Sequence, residues 1–222
     1  MGLILSIETS TRSCSVALSL NGELVKSIEE VSEQYSHSEQ LTVFIEELLL
    51  NENIKVIDLD AIAISSGPGS YTGLRIGTST AKGLCYACGI PLIAIPTLDA
   101  MAEGMKNNYP DMQLCPMIDA RRMEVYCAVY YSNLASSVEA KVINEDSFKK
   151  ELSQGSVLFF GDGANKCQNI LSHPNANFEL GIYPSASDMI FIAYNKYENK
   201  EFEDLAYFEP FYLKDFLSGV NT

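Results

Sequence analysis

The chain has 222 residues, of which 47% are hydrophobic and 20% are charged, and this composition excludes a disordered or fibrous protein. A chain of this length forms one domain or two small lobes and buries about 70% of its unfolded surface. Fifteen Lys and Arg residues against 29 Asp and Glu residues give a net charge of −14. Because phosphate backbones attract basic surfaces, we expect the protein to hold RNA only with the help of a partner.

Three features of the sequence bear on where the protein works. The N-terminus has no basic leader, and Ser6 and Glu8 interrupt its apolar run, which is unlike a signal peptide. No apolar stretch reaches about 18 residues, the length that a membrane-spanning helix needs. The six cysteines are scattered along the chain, a pattern typical of reduced thiols. We therefore expect a cytoplasmic protein without a membrane segment.

The first half of the chain predicts the element order β-β-β-α-β-α-β-α, a mixed sheet with helices packed against it. The Asn21-Gly22 pair predicts a two-residue type I′ turn between the second and third strands. The predicted elements are strands at 3–7, 16–20 and 24–28, a helix at 36–50, a strand at 59–64, a helix at 70–88, a strand at 91–95 and a helix at 98–107.

A polar stretch near residues 106–110 predicts a boundary between two lobes, at 1–106 and 107–222. The β-rich pattern that restarts after it is compatible with a second, degenerate copy of the first lobe. The predicted elements of this half are strands near 114–118, 124–131, 138–143 and 157–160, and helices at 146–153, 163–171 and 187–198.

A glycine-rich turn between a predicted strand and helix is a candidate phosphate loop. Gly67, Gly69 and Gly73 have the spacing GxGxxxG, which fits neither a Walker loop nor a dinucleotide fingerprint. Glycines at this position let a backbone approach a phosphate at the positive end of a helix. Thr9 and Ser10, after the first strand, would complete such a loop with Gly67 and Gly69. A tight turn without a ligand is the alternative.

The helix after that turn carries a stripe of small residues. Gly73, Gly77 and Ala81 recur every four residues, although each interior glycine costs a helix about 1 kcal/mol. Such a stripe indicates close approach of another backbone, either from the protein's own sheet or from a helix of another chain. Val43 and Leu50 lie off the apolar face of the preceding helix, which favours a subunit interface.

Charged residues after two strands are further candidates for chemistry. Glu8 follows the first strand, where an acid could orient a metal-bound nucleotide. Asp119, Arg121 and Arg122 form a cluster that could make an ion pair or meet a phosphate. An ordinary surface turn is the alternative at both places.

The usual self-contained hydrolase signatures are missing from the sequence. His37 and His173 are the only histidines, and Leu41 stands where a second metal-binding histidine would follow His37. The Cys85-x-x-Cys88 pair has no second pair and falls on a predicted helix, so core thiols are expected there. No Gly-x-Ser-x-Gly nucleophile elbow occurs.

Several segments, in this order, resemble the TsaB (YeaZ) family over essentially the whole chain, and the glycine-rich string is the most specific of them. They are residues 4–11 (ILSIETST), 14–18 (CSVAL), 37–41 (HSEQL), 67–77 (GPGSYTGLRIG), 119–121 (DAR) with 124–126 (EVY), and 210–213 (PFYL).

The resemblance implies an α/β protein with the two-lobed actin/Hsp70/sugar-kinase fold. It also implies a role in making threonylcarbamoyladenosine beside the anticodon of tRNAs that read codons starting with A. In that system TsaB is a non-catalytic paralogue of TsaD, which transfers the threonylcarbamoyl group, and the ATPase TsaE joins the pair. The resemblance implies no cofactor for this chain alone, although ATP or ADP could be held in the complex. The isolated chain could form a homodimer.

The resemblance also assigns expectations to particular residues. TsaD-like proteins hold a metal with an HxxxH pair, and here His37 is followed by Leu41 in the second position. We therefore expect no catalytic metal. The family pairs with TsaD through the two helices that carry Val43, Leu50 and the Gly73, Gly77 and Ala81 stripe. Glu8 replaces the usual Asp of the fold, which weakens a nucleotide-metal role in this lobe. A stand-alone phosphotransferase or glycoprotease-type metallopeptidase remains the alternative.

Overall fold

The computed structural model describes residues 2–32, 37–132 and 134–214 and contains two mixed β-sheets. In the first, five strands lie in the order β3-β2-β1-β4-β5. Strand β1 pairs antiparallel with β2 and parallel with β4. The elements of this lobe are β1 (Leu3–Glu8), β2 (Ser13–Leu20), β3 (Glu23–Val31), α1 (His37–Asn51), a 3-10 helix (Val56–Asp58), β4 (Ala61–Gly67), α2 (Tyr71–Cys88), β5 (Leu92–Pro96) and α3 (Thr97–Lys106).

The element order predicted for this half is confirmed, and so is the turn between β2 and β3. Asn21 and Gly22 both have positive φ angles, 51° and 84°, as a type I′ turn requires. Strands β1, β2 and β4 are buried on both faces of the sheet, whereas the edge strand β3 is largely exposed. Leu5 and Ile7 of β1 pack under α1 and α2, whereas Ile4 faces the opposite side, where α3 lies.

The second sheet repeats the strand order of the first. Its main path is β10-β7-β6-β11-β12, with β6 antiparallel to β7 and parallel to β11, which matches the pairing of β1 with β2 and β4. The elements are β6 (Gln113–Asp119), β7 (Glu124–Cys127), β8 (Tyr130–Tyr131), β9 (Leu134–Ala135), β10 (Glu139–Val142), α4 (Lys149–Gln154), β11 (Val157–Phe160), α5 (Ala164–Cys167) and β12 (Ala176–Glu179).

The second sheet thus has the strand order that a second, degenerate copy of the first lobe would have. The degeneration lies in the helices, because α4 has 6 residues where α1 has 15, and α5 has 4 where α2 has 18. The predicted helix at 163–171 was accordingly too long. Strand β12 was not predicted, since its four residues include an Asn and a Glu and show no regular alternation of burial.

The chain returns to the first lobe after β12. A 3-10 helix (Ala186–Met189) and α6 (Ile190–Glu198) pack against Ile4 and Ile93 of the first sheet. The segment that follows bonds to the same lobe, with Glu203 N donating to Leu92 O at 2.9 Å. The predicted C-terminal lobe at 107–222 is therefore wrong for residues 186–214, because these residues complete the core of the first lobe.

No helix in the described part of the chain combines the length and the apolar character that crossing a membrane demands.

Candidate functional site

The small-residue stripe of α2 faces the protein's own sheet. A Cβ atom at Gly73 would lie 2.1 Å from Thr9 O, and one at Gly77 would lie 2.3 Å from Thr9 Oγ1. Thr9 Oγ1 in turn donates to Gly73 O at 2.9 Å, and Ala81 is buried. The assignment of Gly73, Gly77 and Ala81 to a partner surface is therefore corrected: their small size lets α2 lie directly on the end of β1.

The candidate phosphate loop is filled by the protein's own backbone. A Cβ atom at Gly69 would lie 2.4 Å from Ser10 O, which also accepts a hydrogen bond from Ser70 N at 2.6 Å. Thr9 and Ser10 are both buried. The backbone of the β1–β2 connection thus lies next to this turn, where the prediction placed a phosphate.

The C-terminal segment covers the same turn from its other side. Gly67 has a φ of 105°, and a Cβ atom there would lie 2.6 Å from Phe211 O. Phe211 N donates to Ser66 O at 2.7 Å. The main chain thus occupies the space next to both glycines, and the phosphate loop of Thr9, Ser10, Gly67 and Gly69 stays a prediction.

A guanidinium–aromatic contact and hydrogen bonds hold this C-terminal segment on α2. The Arg75 guanidinium lies 4.1 Å from the centroid of the Tyr71 ring and donates from Nε to Tyr212 Oη at 3.2 Å. Lys82 Nζ donates to Phe208 O at 3.0 Å. The segment with the PFYL motif at 210–213 thus packs against the outside of α2 and holds the end of the described chain there.

Glu8 lies inside the molecule, at the end of β1. Its Oε1 accepts a hydrogen bond from Ser10 N at 2.5 Å. Burial raises the pKa of the Glu8 carboxyl, against the opposing effect of its hydrogen bonds with Ser10. Burial and the nearby charge of Glu29 likewise raise the pKa of Asp188 to about 7. Glu8 and Asp188 are thus acidic side chains that face the interior of the protein.

His37 forms a hydrogen bond with the backbone of the β1–β2 connection. Its Nε2 lies 2.7 Å from Thr11 O, and since a carbonyl only accepts, Nε2 carries the proton. Burial lowers the pKa of His37, which favours the neutral ring. Leu41, one turn later, lies in the hydrophobic core. Across the described ranges, no group of three or more His, Cys, Asp and Glu side chains is arranged to hold a metal ion.

An apolar groove runs between α1 and α2 on the outside of the first lobe. It has a volume of about 350 Å³. Its walls come from both helices and from the connection between α1 and β4, namely Thr42, Ile45, Glu46, Leu49, Leu50, Ile54, Lys55, Val56, Thr80 and Leu84. Leu50 is 67% exposed and Val43, on the same helix, is 53% exposed. These two predicted interface residues therefore lie on a free apolar surface.

Helix α2 has a second small-residue stripe, which faces outward and which the sequence reasoning missed. Ser79, Gly83 and Ala87 recur every four residues and are all exposed. A Cβ atom at Gly83 would meet nothing within 4 Å. Tyr86, beside them, is 84% exposed. This repeat of small residues is visible in the sequence, but it lies two positions after the stripe of Gly73, Gly77 and Ala81, which contains two glycines.

The turn between β6 and β7 carries the charged cluster. Asp119 makes an ion pair with Lys166 at 2.6 Å, and Glu124 makes one with Lys214. The prediction that Asp119 could form an ion pair is thus confirmed, with Lys166 as the partner. The side chains of Arg121 and Arg122 are exposed.

Comparison with known proteins identifies the family that this chain matches. Residues 29–216 match the family model described as TsaD: tRNA N6-adenosine threonylcarbamoyltransferase. The "tRNA threonylcarbamoyladenosine biosynthesis protein TsaB" of Buchnera aphidicola subsp. Acyrthosiphon pisum is 31% identical over 189 residues, which cover 78% of this chain and 85% of that protein.

Two solved structures share the fold. YeaZ from Pseudomonas aeruginosa superposes with a TM-score of 0.84 at 27% identity, covering 96% of this chain and all of that one. The ethanolamine utilization protein EutJ from Carboxydothermus hydrogenoformans has a TM-score of 0.51 at 11% identity, over 86% of this chain and 88% of that one. Together with the duplicated sheet, they show the two-lobed actin/Hsp70/sugar-kinase fold. The chain belongs to the TsaB (YeaZ) family, within the wider group that the TsaD model describes.

Proposed function

We propose that this chain is a non-catalytic scaffold subunit for the synthesis of threonylcarbamoyladenosine in tRNA. It would bind TsaD, the subunit that transfers the threonylcarbamoyl group to the adenosine next to the anticodon of tRNAs reading codons that start with A. The ATPase TsaE would join this pair in the cytoplasm. ATP or ADP and the tRNA would be held by the complex and not by this chain alone. The name of the Buchnera relative supports this biosynthetic role.

The apolar α1–α2 face carries the proposal. Val43, Leu50 and Tyr86 expose more than half of their surfaces on these two helices, and Leu50 lines the groove between the helices. Exposed apolar patches of this kind mark protein interaction sites, and burying one such side chain contributes about 1.5–3 kcal/mol. The outward stripe at Ser79, Gly83 and Ala87 would let a partner helix approach α2 closely, because small residues shorten the distance between helix axes.

The non-catalytic role is supported by where the polar groups point. Glu8 is buried, Leu41 fills the core where a second histidine would bind a metal, and the turn at Gly67 is covered by Phe211. The groups that a phosphotransferase or a metallopeptidase would need are therefore turned inward or replaced. In the absence of TsaD, two copies of this chain would pair through the same face, because an exposed patch can match itself about a twofold axis.

The test replaces the native gene by variants and measures threonylcarbamoyladenosine in bulk tRNA by mass analysis of nucleosides. We expect depletion of the protein to remove the modification and the wild-type gene to restore it. Gly83→Leu should fail to restore it, because the leucine fills the outward stripe without touching the rest of the chain. Lys150→Leu, at an exposed position on α4, is the matched control and should restore it. Unchanged modification after depletion would refute the biosynthetic role.

A further inference from the structure

The end of the described chain lies along α2 as a C-terminal strap, defined as residues 204–212. Lys82 Nζ donates to Phe208 O at 3.0 Å. Two helical turns earlier, Arg75 Nε donates to Tyr212 Oη at 3.2 Å. Residues seven apart lie on the same side of a helix. The strap therefore follows one side of α2 for two turns.

Helical spacing places the outward small-residue stripe of α2 directly beside the strap. Ser79 follows Arg75 by four residues, and Tyr86 follows Lys82 by four residues. Side chains at this spacing are neighbours on the helix surface, and Ser79 is the first residue of the stripe. A helix that docks on the stripe would therefore lie next to the strap, because the axes of packed helices are only about 8–10 Å apart.

The apolar groove between α1 and α2 borders the same stripe on its other side. Thr80 and Leu84 of α2 line the groove, and each follows a residue of the stripe by one position. Because α2 turns by about 100° per residue, these two side chains lie on the side of the stripe away from the strap. Leu50 of α1 lines the groove opposite them and is 67% exposed. The stripe thus lies between α1 and the strap.

The strap presents an exposed aromatic side chain from a fixed backbone. Tyr207 is 84% exposed, and the carbonyls on either side of it, those of Ala206 and Phe208, both accept hydrogen bonds from Lys82 Nζ. Asp204 Oδ1 accepts from the backbone N–H groups of Ala206 at 2.9 Å and of Tyr207 at 3.3 Å. Since the backbone around Tyr207 is already ordered, little ordering remains to be done when a partner binds.

The two sides of the stripe also carry negative charge. Glu46 lines the groove on α1, and Glu209 is exposed on the strap. Across residues 2–32, 37–132 and 134–214, neither carboxylate takes part in an ion pair. Tyrosine rings such as that of Tyr207 also attract Lys and Arg cations. The surface that fits this site is therefore an apolar helix with basic residues along its edges.

We propose that the strap is part of the docking face for TsaD, and that Tyr207 contacts TsaD beside the helix that packs on the α2 stripe. The identity of the partner rests on the proposed function, whereas the position of the strap beside the stripe rests on the hydrogen bonds of Arg75 and Lys82. The C-terminal segment would thus take part in recognition as well as pack on α2.

The test is the binding of purified TsaD to Tyr207→Ala, measured by isothermal titration calorimetry. Because the side chain is exposed, the variant should keep the wild-type thermal unfolding midpoint. Loss of a tyrosine contact that binding buries should raise Kd about tenfold. Tyr131→Ala is the matched control, since Tyr131 is a 57% exposed tyrosine on β8 of the second sheet, and it should bind as the wild type does. Unchanged affinity of Tyr207→Ala, or an equal loss with the control, would overturn the inference.

The charge of the partner is tested separately. Charges at the edge of an interface act mainly on the association rate. Glu46→Gln/Glu209→Gln should therefore weaken the dependence of that rate on salt, as measured by stopped-flow fluorescence. A dependence equal to that of the wild type would overturn the basic character assigned to the TsaD helix.

Failure of this inference can be told apart from failure of the proposed function. If Gly83→Leu loses TsaD and Tyr207→Ala keeps it, only the role of the strap is overturned. If the wild-type chain does not bind TsaD, the proposed function and the inference both fail. If Tyr207→Ala weakens only the pairing of two copies of this chain, as measured by analytical ultracentrifugation, the strap contacts a second copy and the inference is overturned.

Discussion

Asp188 is an acidic residue whose charged form the fold disfavours. It lies on the 3-10 helix that brings the chain back to the first lobe, and a Cβ atom at Gly104 would lie 2.3 Å from its Oδ1. Burial and the charges of Glu29 and Glu8 raise its pKa to about 7. The folded protein therefore holds this proton at pH values where the unfolded chain has already released it.

This linkage predicts how stability changes with pH. Between the ordinary pKa of an aspartate, 3.8, and the folded pKa near 7, the wild-type free energy of unfolding should fall as the pH rises, by at most about 1.4 kcal/mol per pH unit from this group. Asp188→Asn removes that dependence. We expect the variant to gain stability over the wild type on going from pH 5 to pH 8, as measured by urea unfolding. A stability difference that stays constant over this range would contradict the assignment.

At the scale of elements, α2 serves two surfaces at once. Its inward glycines lie against β1 and the β1–β2 connection, and its outward stripe belongs to the apolar face that we propose as the docking site. Gly77 and Gly83 are six residues apart on the same helix, and Gly77 is buried whereas Gly83 is exposed. They therefore have the same intrinsic helix propensity and very different surroundings.

The two glycines predict opposite responses to the same substitution. Gly77→Ala should destabilise the fold by about 1–3 kcal/mol, because its Cβ would lie 2.3 Å from Thr9 Oγ1 and 2.9 Å from Ile64 Cδ1. Gly83→Ala should stabilise the isolated chain by about 0.5–1 kcal/mol, because nothing lies within 4 Å of its added methyl group. Chemical denaturation of both variants checks this. Equal effects would contradict the assignment of Gly77 to the inward face and Gly83 to the outward face.

The sequence patterns predicted what depends on neighbouring residues in the chain. Apolar runs and helical spacing located β1 to α3, and Asn21-Gly22 defined its turn. Periodicity showed that Gly73, Gly77 and Ala81 share one face of α2, but it cannot show which neighbour that face meets. The covering of Gly67 by Phe211 and the packing of α6 on the first sheet join residues far apart in sequence. No local pattern encodes such contacts.

At the scale of the whole molecule, two copies of one sheet topology have diverged in size. The first copy keeps long helices with an exposed apolar face, whereas the second keeps its strands and reduces α4 and α5 to 6 and 4 residues. The lobes are joined by the C-terminal return, which runs from β12 to α6 and then along α2 to Lys214, the partner of Glu124 in β7. The first lobe is thus the one that carries the apolar face we propose as the docking site.

Amide hydrogen exchange, recorded with and without TsaD, tests the docking face most directly. We predict that binding slows exchange in α1 and in α2, and leaves α4 and β12 of the second lobe unchanged. Gly83→Leu should abolish the slowing that TsaD causes. Binding of TsaD with no added protection in α1 and α2, or with protection confined to the second lobe, would contradict the account.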